Sequence, residues 1–165
     1  MSAWVDRTSE EARLFNPSFL GLLVWSAASG YMEATRTGLP FELVFVALPL
    51  SLHKPTREAL PRNPRTSLPA WLDENSHLRV GFVERTKGLL PFVREAVLFG
   101  AHHGLITISD GGRLEPSPRP RTLTRYTSEG TDDVRDCLRR AQFLGRWFGA
   151  AGTSATIMAL WGIAP

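Results

Sequence analysis

A mainly α-helical fold with one small β-hairpin, arranged as a winged-helix-like helical domain, is what this sequence predicts, on three observations. Apolar residues recur at helical spacing through most of the chain, with prolines and glycines marking starts and stops. One β-branched run, Leu105-Ile106-Thr107-Ile108, is followed by the turn Ser109-Asp110-Gly111-Gly112 and a second run, Arg113-Leu114-Glu115. Short helices ahead of a hairpin are the order of a winged helix.

Residues 1–15 (MSAWVDRTSEEARLF) read as a flexible lead-in, and residues 16–165 as one domain whose winged-helix-like centre spans about 66–116. Asn16 caps a first helix with Pro17 in its first position, where the missing N–H costs nothing. That helix carries Phe19, Leu22, Leu23, Ser26 and Gly30 on one face and ends near Thr35. Pro40 opens a second helix reaching Leu52, apolar almost all round and therefore central, with Pro49 set to kink or shorten it. His53-Lys54-Pro55-Thr56-Arg57 ends this apolar run and begins a short helical turn, followed by a proline-broken loop to Arg65.

Thr66 or Ser67 caps a short helix with Trp71 and Leu72 as core candidates. Asn75 or Ser76 caps the next, to about Lys87, and Gly88 and Pro91 separate it from a helix over Pro91–His102 that Gly104 ends. After the hairpin, Arg119 to Arg125 is expected as an exposed connector. Thr131 caps a long helix with Asp132 and Asp133 in its first turn. At about 100° per residue, Val134, Cys137, Leu138, Ala141, Leu144, Gly145 and Phe148 share its apolar face, while Arg135, Arg139, Gln142 and Arg146 line the other. A last short helix runs from Ala155 to Leu160.

Composition bounds the function. Hydrophobic residues make up 43% and charged residues 21% of 165, which is ordinary for a globular domain. Cys137 is the sole cysteine, so an intramolecular disulfide is excluded and a reducing compartment fits. The stretch Leu39–Leu52 is too short to span a bilayer and carries Glu42 and Pro49, and the first residues lack a secretory pattern, so the expected location is cytoplasmic with no membrane partner. The net charge of +3 permits contact with nucleic acid or an acidic partner without requiring either.

No catalytic constellation emerges. His53, His77, His102 and His103 show no ligand spacing with each other or with Cys137, so no metal and no cofactor is expected. Cys137 falls in the apolar stripe, where a thiol is a small core residue rather than a nucleophile. The basic residues are better material. His53, Lys54, Arg57, Arg62 and Arg65 around the proline-fixed corner are candidate partner contacts, as are Arg135, Arg139, Phe143, Arg146 and Trp147, where arginine and aromatic residues alternate in the manner of binding hot spots. Packing and surface ion pairing are the competing roles for the same residues. Arg113 on the hairpin and Arg119, Arg121 and Arg125 after it are candidate contacts to DNA phosphates.

Six collinear segments carry a family resemblance: NPSFLGLLVWSAASGY (16–31), GLPFELVFVALPLSLHKPTREALP (38–61), RTSLPAWLDEN (65–75), LLPFVREAVLFGAHHGLI (89–106), DCLRRAQFLGRWFGAAG (136–152) and ATIMALWGIAP (155–165). Together they resemble the middle component of bacterial three-component ABC-ATPase systems, related to Lamassu antiphage defences. The resemblance implies a non-enzymatic adaptor subunit that binds an SMC/Rad50-like ABC ATPase and an effector such as a nuclease, with DNA reached through the complex. It carries no catalytic residues across. The rival expectation is a stand-alone winged-helix DNA-binding regulator. Its recognition helix would offer only Arg94, Glu95, His102 and His103, a poor set for reading base edges.

Overall fold

Two long helices meet backbone to backbone at the centre of the molecule, and the rest of the fold is layered around them. The computed structural model describes residues 15–164. Helix α1 (Pro17–Thr35) starts as the sequence predicts, with the Asn16 side chain accepting from the Ser18 amide at 2.9 Å. It ends in a left-handed Arg36 (φ 63°). The other central helix, α7 (Asp132–Ala151), runs alongside it in the same direction. Gly30 of α1 faces Gln142, Gly145 faces Ala27, and Gly149 faces Ala34 and Thr35. A Cβ at Gly30 would fall inside the carbonyl group of Gln142, and one at Gly145 inside that of Ala27. Only glycine permits this approach.

After Gly38 the chain forms strand β1 (Leu39–Pro40), a 3₁₀ turn at Phe41–Leu43, and α2 (Val44–Leu52). The helix therefore begins four residues later than Pro40. Pro40 lies on an edge strand, where its lack of an N–H breaks no ladder bond. Pro49 sits inside α2 without ending it, and seven of the nine α2 residues are buried. α3 (Lys54–Ala59) follows directly at the His53 corner, and α4 (Leu68–Glu74) starts at Ser67, whose hydroxyl accepts from the Ala70 amide at 3.4 Å.

A 3₁₀ turn at Ser76–Arg79 leads into α5 (Phe82–His102), one continuous helix of 21 residues. The two helices expected on either side of Gly88 and Pro91 are thus one. Pro91 removes a single helical bond, and the buried positions Phe82, Thr86, Val93, Ala96, Val97 and Gly100 anchor both halves to the core. Strands β2 (Ile106–Ile108) and β3 (Arg113–Pro116) form the expected antiparallel hairpin, and β1 joins it to give a sheet of order β1-β3-β2. Residues 66–116 are tied to segments outside that range, because β3 pairs with β1 and α5 packs on α1. Trp25 Nε1 of α1 also donates to the Ser117 carbonyl at 3.0 Å, fixing the exit from the sheet.

The expected connector contains a helix, α6 (Arg121–Glu129), entered through Pro120. Its Leu123 is buried and its Tyr126 ring lies 5.7 Å from that of Phe19, so packing on the start of α1 orders it. α7 (Asp132–Ala151) opens at Thr131, whose hydroxyl accepts from the Val134 amide, and α8 (Ser154–Leu160) closes the fold. Residues 1–14 of the predicted lead-in lie outside the described residues. Phe15, also assigned to it, is packed, with its ring stacked 4.4 Å from Phe92.

Candidate partner-binding site

Three of the predicted contact residues belong to the interior. Arg57 is 1% exposed, Phe143 4% and Trp147 0%, so each serves packing in this fold and none presents its side chain to a partner. Trp147 lies edge-on to Trp71 at 5.3 Å and donates Nε1–H to the Thr66 carbonyl at 2.7 Å. It thereby ties α7 to the loop before α4. Phe143 lies beneath the Arg140 guanidinium, 5.6 Å from its ring centre. Helical periodicity places both aromatics outside the apolar arc of α7, beside the basic stripe. The loop carrying Pro61–Ser67 covers that side of α7, with the Pro61 carbonyl accepting from Arg140 at 3.3 Å.

Arg57 is the hub of a clasp. Its Nε donates to Asp136 at 2.8 Å, its Nη2 to Asp133, and its Nη1 to the carbonyls of Ser51 at 2.9 Å and Leu52 at 3.3 Å. It therefore binds the last turn of α2 and the first turns of α7 to α3. A buried guanidinium is tolerated only with this degree of pairing. Burial pushes the Asp136 carboxyl up, but hydrogen bonds and charge from Arg139 and Arg57 outweigh it and hold the group below the ordinary carboxylate range. The neighbouring Cys137 thiol is pushed up to about 11, chiefly by burial, which keeps it a thiol rather than a thiolate nucleophile.

The other arginines of α7 are also engaged. Arg135 closes the end of α6 by donating to the carbonyls of Thr127 (3.2 Å) and Gly130 (2.6 Å) and pairs with Asp132. Arg139 pairs with Asp136 at 2.5 Å, and Arg146 with Glu33 of α1 at 3.1 Å. Pairing across the surface, rather than a free basic stripe, describes this face. Arg62 and Arg65 are exposed. The charges of Arg62 and Arg139 press on Arg140, which burial already holds below its ordinary value, against a favourable pull from Asp136. Of the residues proposed for DNA phosphates, Arg113 donates to the Gly38 carbonyl at 2.9 Å and Arg125 pairs with Glu129 at 3.4 Å. Arg119 and Arg121 are exposed, on separate sides of Pro120. No group of three or more metal-ligating side chains converges among the described residues. No described helix is long and apolar enough to cross a membrane.

Around His53 the structure assembles more than the sequence reading placed there. Lys54 is exposed and sits 3.9 Å from Glu58, while His53 is half-buried with Nδ1 2.7 Å from the Thr56 hydroxyl. Burial first, and then the charges of Arg85 and Arg57, hold His53 below its ordinary value and so favour the neutral ring. His53 opens onto an apolar groove of about 550 Å³ between α2 and α5, walled by Phe15, Pro49, Leu52, Leu89 and Phe92 and reaching Arg85 and Gly88. A second recess, about 310 Å³, lies along the other flank of α5 against Phe45, Met158 and Ile163. Arg85, Gly88, Leu89 and Phe92 are not among the residues the sequence points to, because Gly88 and Pro91 read as a break between two helices. The available signal was a glycine and a proline, both poor helix formers, three residues apart inside a pattern that continues through them.

No curated protein and no solved structure matches this chain. A family model matches residues 4–165, nearly the whole chain, and carries the description ABC-three component (ABC-3C) system Middle Component 3. On that match the chain belongs to the Middle Component 3 family of ABC-three component systems.

Proposed function

We propose that the chain is a non-enzymatic, cytoplasmic adaptor subunit. It bridges an SMC/Rad50-like ABC ATPase and an effector, a nuclease in the first instance, in antiphage and anti-plasmid defence of the Lamassu type. The observation that carries this reading is the family match along residues 4–165, since a middle component of an ABC system works with an ATPase and a further component. The geometry supports it. The strongest ion-pair network, Arg57 with Asp133 and Asp136, holds helices together, and the one cysteine is a buried thiol. The groove beside His53 and the exposed arginines Arg62 and Arg65 are among the surfaces open to other molecules, with DNA reached through the assembled complex.

Co-expression with the products of the neighbouring genes, followed by affinity capture of this chain, tests the proposal. It predicts recovery of both an ATPase and an effector in one complex. Capture of neither, together with tight, salt-dependent DNA binding by the isolated chain, would make the winged-helix regulator the better account.

A further inference from the structure

We infer that the face where loop 61–67 crosses α7, carrying Arg62, Arg139 and Arg140, is a docking surface for an acidic protein segment with two or three neighbouring carboxylates. It rests on the adaptor reading for the partner's role, and on the side chains alone for the partner's chemistry.

Arg140 is half-buried where the loop lies on α7. Its Nη1 donates to the Pro61 carbonyl at 3.3 Å, its guanidinium lies over the Phe143 ring, and its Nε is buried without a partner. No carboxylate among the described residues forms an ion pair with it. Arg62 and Arg139 stand close enough for their charges to press on it, and only Asp136 pulls the other way. Asp136 is already committed, at 2.8 Å to Arg57 and 2.5 Å to Arg139, and Asp133 is bound by Arg57 as well. Two carboxylates therefore answer the four guanidinium groups of Arg57, Arg62, Arg139 and Arg140. Arg62 is exposed and has no ion-pair partner among the described residues. A guanidinium drawn partly out of water beside two like charges is costly in the isolated chain, and an anion arriving from outside relieves that cost.

The surroundings set how much anion fits. Towards the start of α7 the face turns acidic at once, with Asp132 and Asp133 in the first turn and Asp132 and Asp136 sharing a shallow recess with Arg135 and Arg139. A polynucleotide laid across the arginines would run its repeating phosphates onto these carboxylates, whereas a short acidic segment ends before them. In the opposite direction along α7, Arg65 borders the recess beside Trp147 and Ala150 and extends the basic surface. Its guanidinium is exposed and unpaired among the described residues. The planar fork of arginine also matches carboxylate, the group that arginines of this fold already bind at Asp133, Asp136 and Glu33.

The test uses the full chain and a fluorescein-labelled peptide of six glutamates, with affinity read by fluorescence anisotropy at low and moderate salt. Wild type is expected to bind the peptide. Arg62→Glu, a change at an exposed site, should weaken binding at least tenfold, and the loss should shrink as salt rises. Arg140→Gln should weaken it at least fivefold, with thermal unfolding verifying that the fold is kept. Arg94→Glu makes the same charge change on the exposed side of α5, which packs on α1 and α2, and should stay within twofold of wild type. No binding by wild type overturns the inference. Equal losses for Arg62→Glu and Arg94→Glu also overturn it, because net charge alone would then explain the attraction. So does tighter binding of a short DNA duplex that Arg62→Glu weakens equally, which would make the site a phosphate contact. A tenfold gain in peptide affinity on deleting residues 1–14 would assign the arginines to the chain's own Glu10 and Glu11 and likewise overturn it. The peptide needs no other component of the system, so failure of the neighbouring gene products to co-purify counts against the adaptor reading and not against this site.

Discussion

Gly145 in α7 and Gly88 in α5 both interrupt sequence that otherwise favours a helix, yet their surroundings are opposite. At Gly145 the carbonyl of Ala27 and the amide of Tyr31 occupy the space a side chain would need. At Gly88 no described residue comes within 4 Å of that position. The first glycine exists for the fold, because α1 and α7 can share a backbone seam only where side chains vanish. The second lies on the exposed side of α5, where no described neighbour requires a glycine. The difference separates glycines that the scaffold requires from glycines that it only tolerates, a separation that residue type alone does not make.

The comparison is easiest to break at the seam. Gly145→Leu forces α1 and α7 apart and is expected to cost about 3 kcal/mol or more, read as a fall in the urea midpoint. A midpoint near wild type would mean that the seam does not hold the fold together. Next comes the clasp that joins α3 to α7. Arg57→Met leaves the Ser51 and Leu52 carbonyls without their donor and Asp133 without its partner, while Asp136 keeps Arg139. The expected loss is about 2 kcal/mol, moderated because Asp133 is already 62% exposed and can rehydrate.

Acid should sharpen the same point. Asp136 has a depressed folded-state value, so its contribution is present above the ordinary carboxylate range and is lost as pH falls through the folded value, below about 4. In Asp136→Asn the denaturation midpoint should therefore depend less on pH in that window. His53 acts in a different window. Its folded value is also depressed, so the unfolded chain takes up the proton first and stability declines as pH drops below about 6.5. His53→Gln should flatten the profile there and leave the steeper acid limb untouched. The smallest effect is expected at the other end of the comparison. Gly88→Ala, in open space on a helix, should stabilise the chain by about 0.5 to 1 kcal/mol, seen as a raised Tm.

Where one residue controlled the local outcome, the architecture could be read before the structure. Asn16-Pro17, Ser67 and Thr131 each start a helix by capping it, and Asp110-Gly111-Gly112 turns the hairpin. Long-range pairing was not legible. Leu39-Pro40 becomes a strand only because Leu114 and Arg113 come alongside, and nothing local announces that register. Leu123 and Tyr126 turn an apparent connector into α6 by the same means, through contact with a helix a hundred residues away. Arg57 shows the limit for the candidate site. Its sequence neighbours mark a polar corner, but its burial follows from Asp133 and Asp136, which lie 76 and 79 residues further along the chain. Phe143 and Trp147 fail as surface residues for a related reason: a helical wheel shows which residues share a face, and not which loop will cover that face.

Hydrogen–deuterium exchange on the chain tests the central separation most directly. The weak helical stretch around Gly88 and Pro91 should exchange measurably, while the α1–α7 seam around Gly30 and Gly145 exchanges slowest in the molecule. Exchange at the seam as fast as at residues 85–92 would contradict the account.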